Sequence, residues 1–514
     1  MLRIDCNYTL ISMKTAQISA MILEDNLFAQ PIQIEALIRP GLPIFRITGT
    51  NVRSKDREER IRAAMIASGI QFPYSTVLVN LSPVDAMKES ALLDLPIAVC
   101  LLLALGQLKE KVLLNQLYLG ELSLTGKIQQ TADTTAWALC GGDAGFNRIF
   151  LPSEAVIQLP SSSSVVYYGL HHLKDLIYQR FEPAQKNSIK FAKPNNLNIE
   201  LERKIGRILS IAAAGRHSTL FIGPQGSGKS YAARALFSLL PEPTDLEVEQ
   251  ILKNQILFDE LRSSKLDATI GRPFRNPHHS ITVPGMVGGG VPLRAGEANR
   301  ATNGLLLLDE IAEYDRPVIE ALREPLERHE IHHNRSGRPS ALPAKFWFIA
   351  TANPCPCGKF RSENSVCRCS RRSIDRRRSM ILGPFGDRID IQVFVDSKRV
   401  KKNEPLQYVT VKELASQVEI AVNFQKKRNF NLYNSELETD EHFVFEDNSA
   451  KKIWLTMQQN CTSRRNEIRI KRLARTIADL DESHYIRAED LIEAESYRLP
   501  EDFFEAAPPS HKVT

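Results

Sequence analysis

A glycine-rich octapeptide in the middle of the chain has the composition of a phosphate-binding loop. Residues 223–230 read GPQGSGKS and match G-x-x-x-x-G-K-[ST], between the apolar run TLFI and a helical pattern. Glycines let backbone N–H groups turn toward phosphate oxygens, the lysine reaches the β and γ phosphates, and the last hydroxyl can ligate Mg²⁺. We therefore predict that ATP is bound by the whole loop, namely Gly223, Pro224, Gln225, Gly226, Ser227, Gly228, Lys229 and Ser230.

Two further apolar runs end in residues of the types that nucleotide hydrolysis requires. GLLLLDEI places Asp309 and Glu310 after one run, and FWFIATAN places Asn353 at the end of another. Hydrolysis needs one carboxylate to hold the water shell of Mg²⁺ and another to activate the attacking water. We assign Asp309, with Ser230, to the Mg²⁺ and Glu310 to the general base. The pattern resembles the additional-strand class of phosphate-loop ATPases, in which an asparagine at this strand end helps orient the attacking water, so we expect this role for Asn353.

Four of the eight cysteines form two Cys-x-Cys pairs, namely Cys355, Cys357, Cys367 and Cys369. Four thiolates can hold a tetrahedral Zn²⁺ at Zn–S distances of about 2.3 Å, and a Pro- and Gly-rich turn suits the first pair. No coordination position would stay open, so the metal would be structural. Free thiols and redox chemistry are the alternatives. The scattered cysteines are expected to serve packing: Cys6, Cys100, Cys140 and Cys461.

The chain that must position these residues has 514 residues, which is long enough for several domains. Alternating short apolar runs and helical stretches predict a mixed α/β domain over 1–178, followed by a polar linker at 179–196. We predict a doubly wound α/β core with a parallel sheet over 197–403. A helical domain should follow over 404–507, and a disordered tail at 508–514.

The composition is that of a soluble globular protein, with 43% hydrophobic and 25% charged residues. The N-terminus lacks the order of a secretory signal. The longest apolar run, at 92–108, contains Asp94 and Pro96 and is too short to span a membrane. We therefore expect a cytoplasmic protein without a membrane partner.

The net charge of +6 is concentrated in one segment. From Lys359 to Lys402, thirteen Lys or Arg stand against five Asp or Glu, a local balance of +8. Such a run suits sequence-independent contacts with DNA phosphates, whereas a solvated helix face or subunit contacts are the alternative. A second candidate for DNA contact is a predicted hairpin with Arg335 and Lys345. The basic run includes Arg371, Arg372, Arg376, Arg377 and Arg378.

Long motifs occur in this order: RPFRNPHHSITVPGMVGGGVPLRAGEANRATNGLLLLDEI, REPLERHEI, ATANPCPCG, GPFGDRIDIQV and RLARTIADL. Together they resemble the ComM/YifB family of magnesium-chelatase-like AAA+ ATPases, over about residues 13 to 500. The resemblance implies a Lon-protease-like domain, an AAA+ core and a helical lid, assembled into a homo-oligomeric ring, a hexamer. It also implies a helicase or branch-migration translocase on branched or single-stranded DNA, in recombination of incoming DNA during natural transformation.

The resemblance implies two further site residues, both arginines. Arg388 in GDRID matches the finger that one subunit inserts into the nucleotide site of its neighbour. Arg465 in TSRRNEIRI matches the lid arginine that contacts the nucleotide of its own subunit, with Arg464 as the alternative.

The chain departs from related patterns at several positions. In the Lon-like domain, Ala91 and Leu92 stand where a nucleophile is expected, so with only Ser90 and Lys88 nearby we expect no proteolysis. The phosphate loop has Gln225 where a second proline is common, and Ser230 in place of threonine.

The role of a histidine pair and the choice between two functions stay open. His278 and His279 are adjacent, so on a strand their side chains would point to opposite sides, and we leave the pair unassigned. The alternative function is a magnesium-chelatase-type remodeller of a protein partner, which DNA would not stimulate.

Overall fold

The architecture comes from a computed structural model, in which the chain divides into two compact units. The units are Met1–Lys190 with Val248–Ile270, and Phe191–Glu247 with Gly271–Thr514. In the described part of the chain, no helix combines the length and apolarity needed to cross a membrane. The described residues are 13–24, 27–50, 55–83, 90–108, 115–156, 159, 165–184, 191, 199–258, 270–335, 338–361, 366–395, 407–429, 432–461 and 463–504.

The first unit is a mixed α/β fold, and its described residues form sheets of strand orders β1-β2-β4-β3, β5-β8-β9 and β6-β7. Its elements are β1 (Lys14–Glu24), β2 (Phe28–Arg39), β3 (Phe45–Thr48), α1 (Lys55–Ala67), β4 (Thr76–Ser82), α2 (Asp94–Ala104), β5 (Gln116–Tyr118), β6 (Glu121–Leu122), β7 (Ile128–Gln129), α3 (Thr134–Asp143), β8 (Arg148–Pro152), α4 (Ser153–Val156), β9 (Val166–Leu170) and α5 (Leu173–Ile177).

Sequence patterning explains how this unit packs. Along β2, buried Ile32, Ile34, Ala36 and Ile38 alternate with more exposed residues, as a half-buried strand requires. The helix α2 is apolar on all sides and is almost entirely buried. Its one charged residue, Asp94, is fully buried and is neutralised by ion pairs with arginines of α1, the shorter of them 2.6 Å long.

The second unit contains a five-stranded parallel sheet and a helical C-terminal part. Its elements are β10 (Glu200–Glu202), α6 (Arg203–Gly215), β11 (Thr219–Ile222), α7 (Lys229–Leu239), the start of α8 (Asp245–Leu257, whose residues from Val248 belong to the first unit), β12 (Phe274–Arg275), α9 (Val283–Val287), α10 (Glu297–Arg300), β13 (Leu305–Leu308), α11 (Arg316–Ala321), α12 (Arg323–Arg328), β14 (Glu330–Arg335), β15 (Arg338–Pro343), β16 (Trp347–Ala352), α13 (Arg371–Ile381), β17 (Ile391–Phe394), β18 (Tyr408–Thr410), α14 (Val411–Asn429), α15 (Asn448–Asn460), α16 (Arg464–Leu480) and α17 (Ala488–Ser496).

The parallel sheet has the strand order β12-β13-β16-β11-β17, and every neighbouring pair is parallel. The strands β11, β13 and β16 are buried along their whole length, which explains their uninterrupted apolar sequences. Their carboxyl ends meet at one edge of the sheet, called here the carboxyl edge, and their amino ends form the opposite, amino edge. The predicted parallel α/β core and helical C-terminal region are confirmed.

The helical part packs on the sheet through a shared apolar core that includes residues of α6, α14 and α16. At the amino edge, the buried Arg216 lies between the rings of Trp347 and Tyr433, 4.2 and 4.1 Å from their centroids. It also pairs with Glu247 at 2.7 Å and Glu436 at 3.3 Å. This cluster joins the loop before β11 to the helical part of the same unit.

One segment lies apart from the core to which the sequence assigned it. Residues Val248–Ile270 belong to the first unit, although they fall within the predicted range 197–403. Buried apolar side chains of α8 explain this, because Ile251, Leu252 and Ile256 belong to the apolar core of the first unit. The proposed domain limits remain predictions. Most of the predicted linker 179–196 and all of the tail 508–514 lie outside the described residues.

Candidate nucleotide site

The predicted phosphate loop connects β11 to α7 at the carboxyl edge. Gly226 and Gly228 have φ angles of 81° and 83°, a left-handed conformation that favours glycine. A Cβ on Gly223 would lie 2.1 Å from the carbonyl oxygen of Val395, so this position has no room for a side chain. The sequence thus gives the loop glycine wherever its backbone requires it.

Lys229 closes the loop from its first helical position. Its buried Nζ donates to the carbonyl oxygens of Gly223 at 2.9 Å and Pro224 at 2.6 Å, and to Oδ1 of Asn353 at 3.3 Å. Burial lowers the pKa of Lys229, although the nearby carboxylates of Glu310 and Asp309 act in the opposite direction. The ammonium is therefore held where the loop would receive phosphates.

The two acids after β13 meet the phosphate loop and β16. Oγ of Ser230 donates to Oδ1 of Asp309 at 2.8 Å, and the Thr351 hydroxyl donates to the same oxygen at 2.5 Å. Nδ2 of Asn353 donates to Oε1 of Glu310 at 3.4 Å. The structure thus brings together all the residues predicted from the three apolar runs.

Thr351 is a residue of this network that the sequence analysis missed. Besides contacting Asp309, its hydroxyl accepts the backbone N–H of Glu310 at 2.9 Å. Glu310 has a φ of 54°, a left-handed conformation that is uncommon for a residue with a side chain and is held by such contacts. Its spacing from Asn353 was the only sequence signal for Thr351. Residues two apart on an extended chain point to the same side, so Thr351 should lie on the side of Asn353.

The predicted finger Arg388 lies at the amino edge. Its carbonyl oxygen accepts a hydrogen bond from Oγ of Ser218, just before β11, at 3.1 Å. Gly223 begins the phosphate loop five residues later, which corresponds to about 16 Å along an extended strand. Arg388 is therefore too far from the phosphate loop of its own chain to contact the phosphates bound there.

Arg465 lies beside Arg388 rather than beside the phosphate loop. Nε of Arg388 is 2.8 Å from Oε1 of Glu327, and the Arg465 guanidinium pairs with the same oxygen. The structure thus does not bring Arg465 to the phosphate loop of its own chain, and its contact with a nucleotide stays a prediction. The orientation of α16, which sequence motifs do not report, places the start of that helix at the amino edge.

A cavity of about 850 Å³ at the amino edge contains both arginines. Seven arginines and six acids line it, including Glu327 and Arg464. Burial lowers the pKa of Arg388, and the neighbouring charges of Arg323 and Arg465 add to this effect, while Glu327 opposes it. Arg465 forms the ion pair with Glu327, and the adjacent Arg464 lines the same cavity.

The four predicted zinc ligands form one cluster. The ligand atoms all lie within 4.8 Å of one another, with Sγ–Sγ distances of 3.4 to 3.7 Å between three of them. A tetrahedral Zn²⁺ with Zn–S bonds of about 2.3 Å needs sulfurs about 3.8 Å apart, so the residues fit this ion. Although burial opposes it, hydrogen bonds from the Lys359 backbone and neighbouring thiols lower the pKa of Cys357 to about 6. The described cysteines form no disulfide.

The predicted basic run and hairpin are only partly free to contact a ligand. On α13, Arg372 and Arg376 are exposed, whereas Arg377 pairs with Glu313 at 2.8 Å. The strands β14 and β15 do form the expected hairpin. Lys345, which follows it, pairs with Glu436 at 2.8 Å, and the side chain of Arg335 lies outside the described residues.

The histidine pair differs from its prediction. His278 and His279 lie in a turn after β12, and their ring centroids are 4.0 Å apart. Since this segment is not a strand, the two rings face each other instead of pointing to opposite sides. In the first unit, Oγ of Ser90 accepts the N–H of Leu92 at 3.3 Å, and Lys88 lies outside the described residues.

A parallel sheet with this loop, two acids and a strand-end asparagine defines the class of phosphate-loop nucleotide-binding proteins. Three family profiles match the chain. They are described as magnesium chelatase, subunit ChlI, at residues 198–404; subunit ChlI of Mg-chelatase, at 34–155; and magnesium chelatase, subunit ChlI C-terminal, at 409–498.

Similar proteins are known over nearly the full length. The chain is 30% identical over 491 residues to competence protein ComM of Haemophilus influenzae, covering 91% of this chain and 94% of that protein. It is 31% identical over 492 residues to YifB of Escherichia coli, with the same coverage. The chain belongs to the ComM/YifB family of magnesium-chelatase-like AAA+ proteins. Membership of this family suggests an ATPase and implies ATP and Mg²⁺ as its ligands.

Proposed function

We propose that the chain is an ATP-hydrolysing, ring-forming motor that acts on DNA in the cytoplasm. The observation that carries the ATPase part is the hydrogen-bonded network at the carboxyl edge, which joins Lys229, Asn353 and Glu310. In this proposal the phosphate loop and Lys229 bind the triphosphate. Ser230 and Asp309 hold Mg²⁺, which supplies positive charge to the β and γ phosphates when bound.

Glu310 is proposed as the general base and Asn353 as the residue that orients the attacking water. The 3.4 Å contact between the two side chains supports this division of roles. A water that is hydrogen-bonded to the Asn353 amide would also lie within reach of the Glu310 carboxylate. A proton would pass from the water to Glu310 as the water oxygen bonds to the γ-phosphorus and the bond from that phosphorus to the bridging oxygen breaks, releasing ADP.

Arg388 and Arg465 are proposed to act on the nucleotide of a neighbouring subunit. Their position at the amino edge, opposite the phosphate loop, supports a head-to-tail ring in which each site uses both edges. We propose a hexamer.

The DNA part of the proposal draws on the relatives and on charge. One relative is named for competence, which supports a helicase or branch-migration translocase acting when incoming DNA recombines during natural transformation. Exposed Arg372 and Arg376 can contact phosphates of branched or single-stranded DNA. The family profiles, all described by a magnesium chelatase subunit, favour the second candidate, a remodeller of a protein partner.

We also propose a structural Zn²⁺ held by Cys355, Cys357, Cys367 and Cys369. The cluster fits a closed four-thiolate site, which would join the end of β16 to the segment before α13. Zinc analysis of the purified protein tests this, and less than one Zn²⁺ per chain after gentle preparation would contradict it.

The test of the proposed activity is steady-state ATP hydrolysis with and without branched DNA, for the wild type and for Glu310→Gln. We expect DNA to stimulate the wild type and the variant to lose about 100-fold or more in kcat, since general bases contribute about that much. Wild-type hydrolysis without DNA stimulation would favour the remodeller. Full turnover in the variant would remove Glu310 from its role.

A further inference from the structure

The turn that carries the first cysteine pair lies directly against the phosphate loop. The backbone N–H of Gln225 donates to the carbonyl oxygen of Gly358, with an N–O distance of 3.3 Å. The N–H of Gly358 in turn donates to the carbonyl oxygen of Cys355 at 2.9 Å. One hydrogen bond therefore connects the cysteine cluster to the loop that is proposed to bind ATP.

Close packing accompanies this hydrogen bond. Gly358 has a φ of 69°, and a Cβ built on it would lie 3.4 Å from Cβ of Gln225 and 3.9 Å from Cγ of Asn353. The turn thus lies close to both the loop and the asparagine that follows β16. Its position is fixed from the other side by the backbone N–H of Phe360, which donates to Sγ of Cys355 at 3.3 Å.

The donor of the connecting hydrogen bond is a backbone N–H, which every residue except proline supplies. A proline in place of Gln225 would leave the carbonyl oxygen of Gly358 without this donor. The contact between loop and cluster therefore depends on the backbone of Gln225 and not on its side chain.

We propose that metal binding at the cysteine cluster increases the affinity of the phosphate loop for ATP. The metal joins the pair Cys355 and Cys357 to the pair Cys367 and Cys369, and so holds Gly358 where it accepts the N–H of Gln225. Loss of the metal frees the turn, and the loop loses a contact that keeps it ready for phosphates. This inference rests on the proposed ATP binding and goes beyond a local structural role for the metal.

The test measures ATP affinity with the cluster loaded and emptied. Zn²⁺ is removed with 1,10-phenanthroline, a nitrogen chelator that leaves Mg²⁺ to its oxygen ligands, and metal content is checked by elemental analysis. The Kd of a fluorescent ATP analogue is then measured by anisotropy at saturating Mg²⁺. We expect about a fivefold weaker Kd without zinc, which corresponds to the net free energy of one hydrogen bond.

Two substitutions at one position isolate the hydrogen bond. Gln225→Ala keeps the backbone N–H and should show the same fivefold loss on zinc removal. Gln225→Pro removes the N–H and should bind ATP equally weakly with and without zinc. An equal loss in both variants would overturn the proposal, as would a wild-type Kd that zinc removal leaves unchanged.

Further controls keep the test decisive if Gln225→Pro does not fold, as judged by its thermal unfolding. Cys367→Ser with Cys369→Ser should lose zinc and weaken the Kd fivefold, whereas Cys461→Ser, outside the cluster, should change neither. A Kd that stays at the wild-type value in the zinc-free double variant would contradict the coupling. If neither the wild type nor Lys229→Ala bound ATP, the result would instead contradict the proposed function.

Discussion

At the scale of single residues, Glu327 organises the two arginines at the amino edge. Its Oε1 pairs with Nε of Arg388 at 2.8 Å and with the guanidinium of Arg465. Two like charges would repel each other without an intervening carboxylate, and Arg388 is only 12% exposed. Glu327 therefore holds both arginines in one position, as their proposed action on the phosphates of a neighbouring subunit would require.

We predict that Glu327→Gln lowers kcat for ATP hydrolysis by roughly tenfold or more with little change in KM. The two arginines would be misplaced for their contacts with the transition state, whereas the nucleotide itself binds at the carboxyl edge. Steady-state kinetics of the assembled protein measure this. Glu324→Gln is the matched control, since Glu324 lies on the same helix and contacts His332 instead. An increase in KM alone, or equal losses in both variants, would contradict the prediction.

At the scale of secondary-structure elements, the sequence predicts what depends on local patterns. The strands β11, β13 and β16 follow from uninterrupted apolar runs, and polar groups at their carboxyl ends meet because parallel strands share an edge. The contacts of Arg465 depend instead on how α16 packs, and the facing rings of His278 and His279 depend on a turn. The cysteine cluster was predictable from spacing, but the hydrogen bond between Gly358 and the phosphate loop was not.

Attachment of the helical part to the sheet depends on the buried Arg216, whose side chain is 1% exposed. Arg216→Ala should destabilise the second unit by about 3 to 5 kcal/mol, because Glu247 and Glu436 would each lose a buried partner. Arg316→Ala removes a surface ion pair with Glu320 and should cost below about 1 kcal/mol. Denaturant unfolding measures both, and similar midpoints for the two variants would contradict the role of Arg216.

At the scale of the whole molecule, one chain contains both halves of the proposed ATPase site, at opposite edges of one sheet. Lys229 and Glu310 lie at the carboxyl edge, and Arg388 and Arg465 lie at the amino edge. A head-to-tail contact repeated around a closed ring would join the carboxyl edge of each subunit to the amino edge of the next. Isolated subunits should therefore have incomplete sites.

Mixing two inactive variants tests this arrangement directly. Lys229→Ala should not bind nucleotide productively, and Arg388→Ala should lack the finger, so each homogeneous ring should be nearly inactive. In an equimolar mixture, a subunit with an intact phosphate loop can meet a neighbour with an intact Arg388. Random assembly should then restore about a quarter of wild-type sites, because each half of a site is intact with a probability of about one half. ATP hydrolysis measured after co-assembly checks this, with Lys229→Ala mixed with Glu310→Gln as the control, since both substitutions remove the same half. Activity no higher than in that control would contradict the action of Arg388 on a neighbouring site.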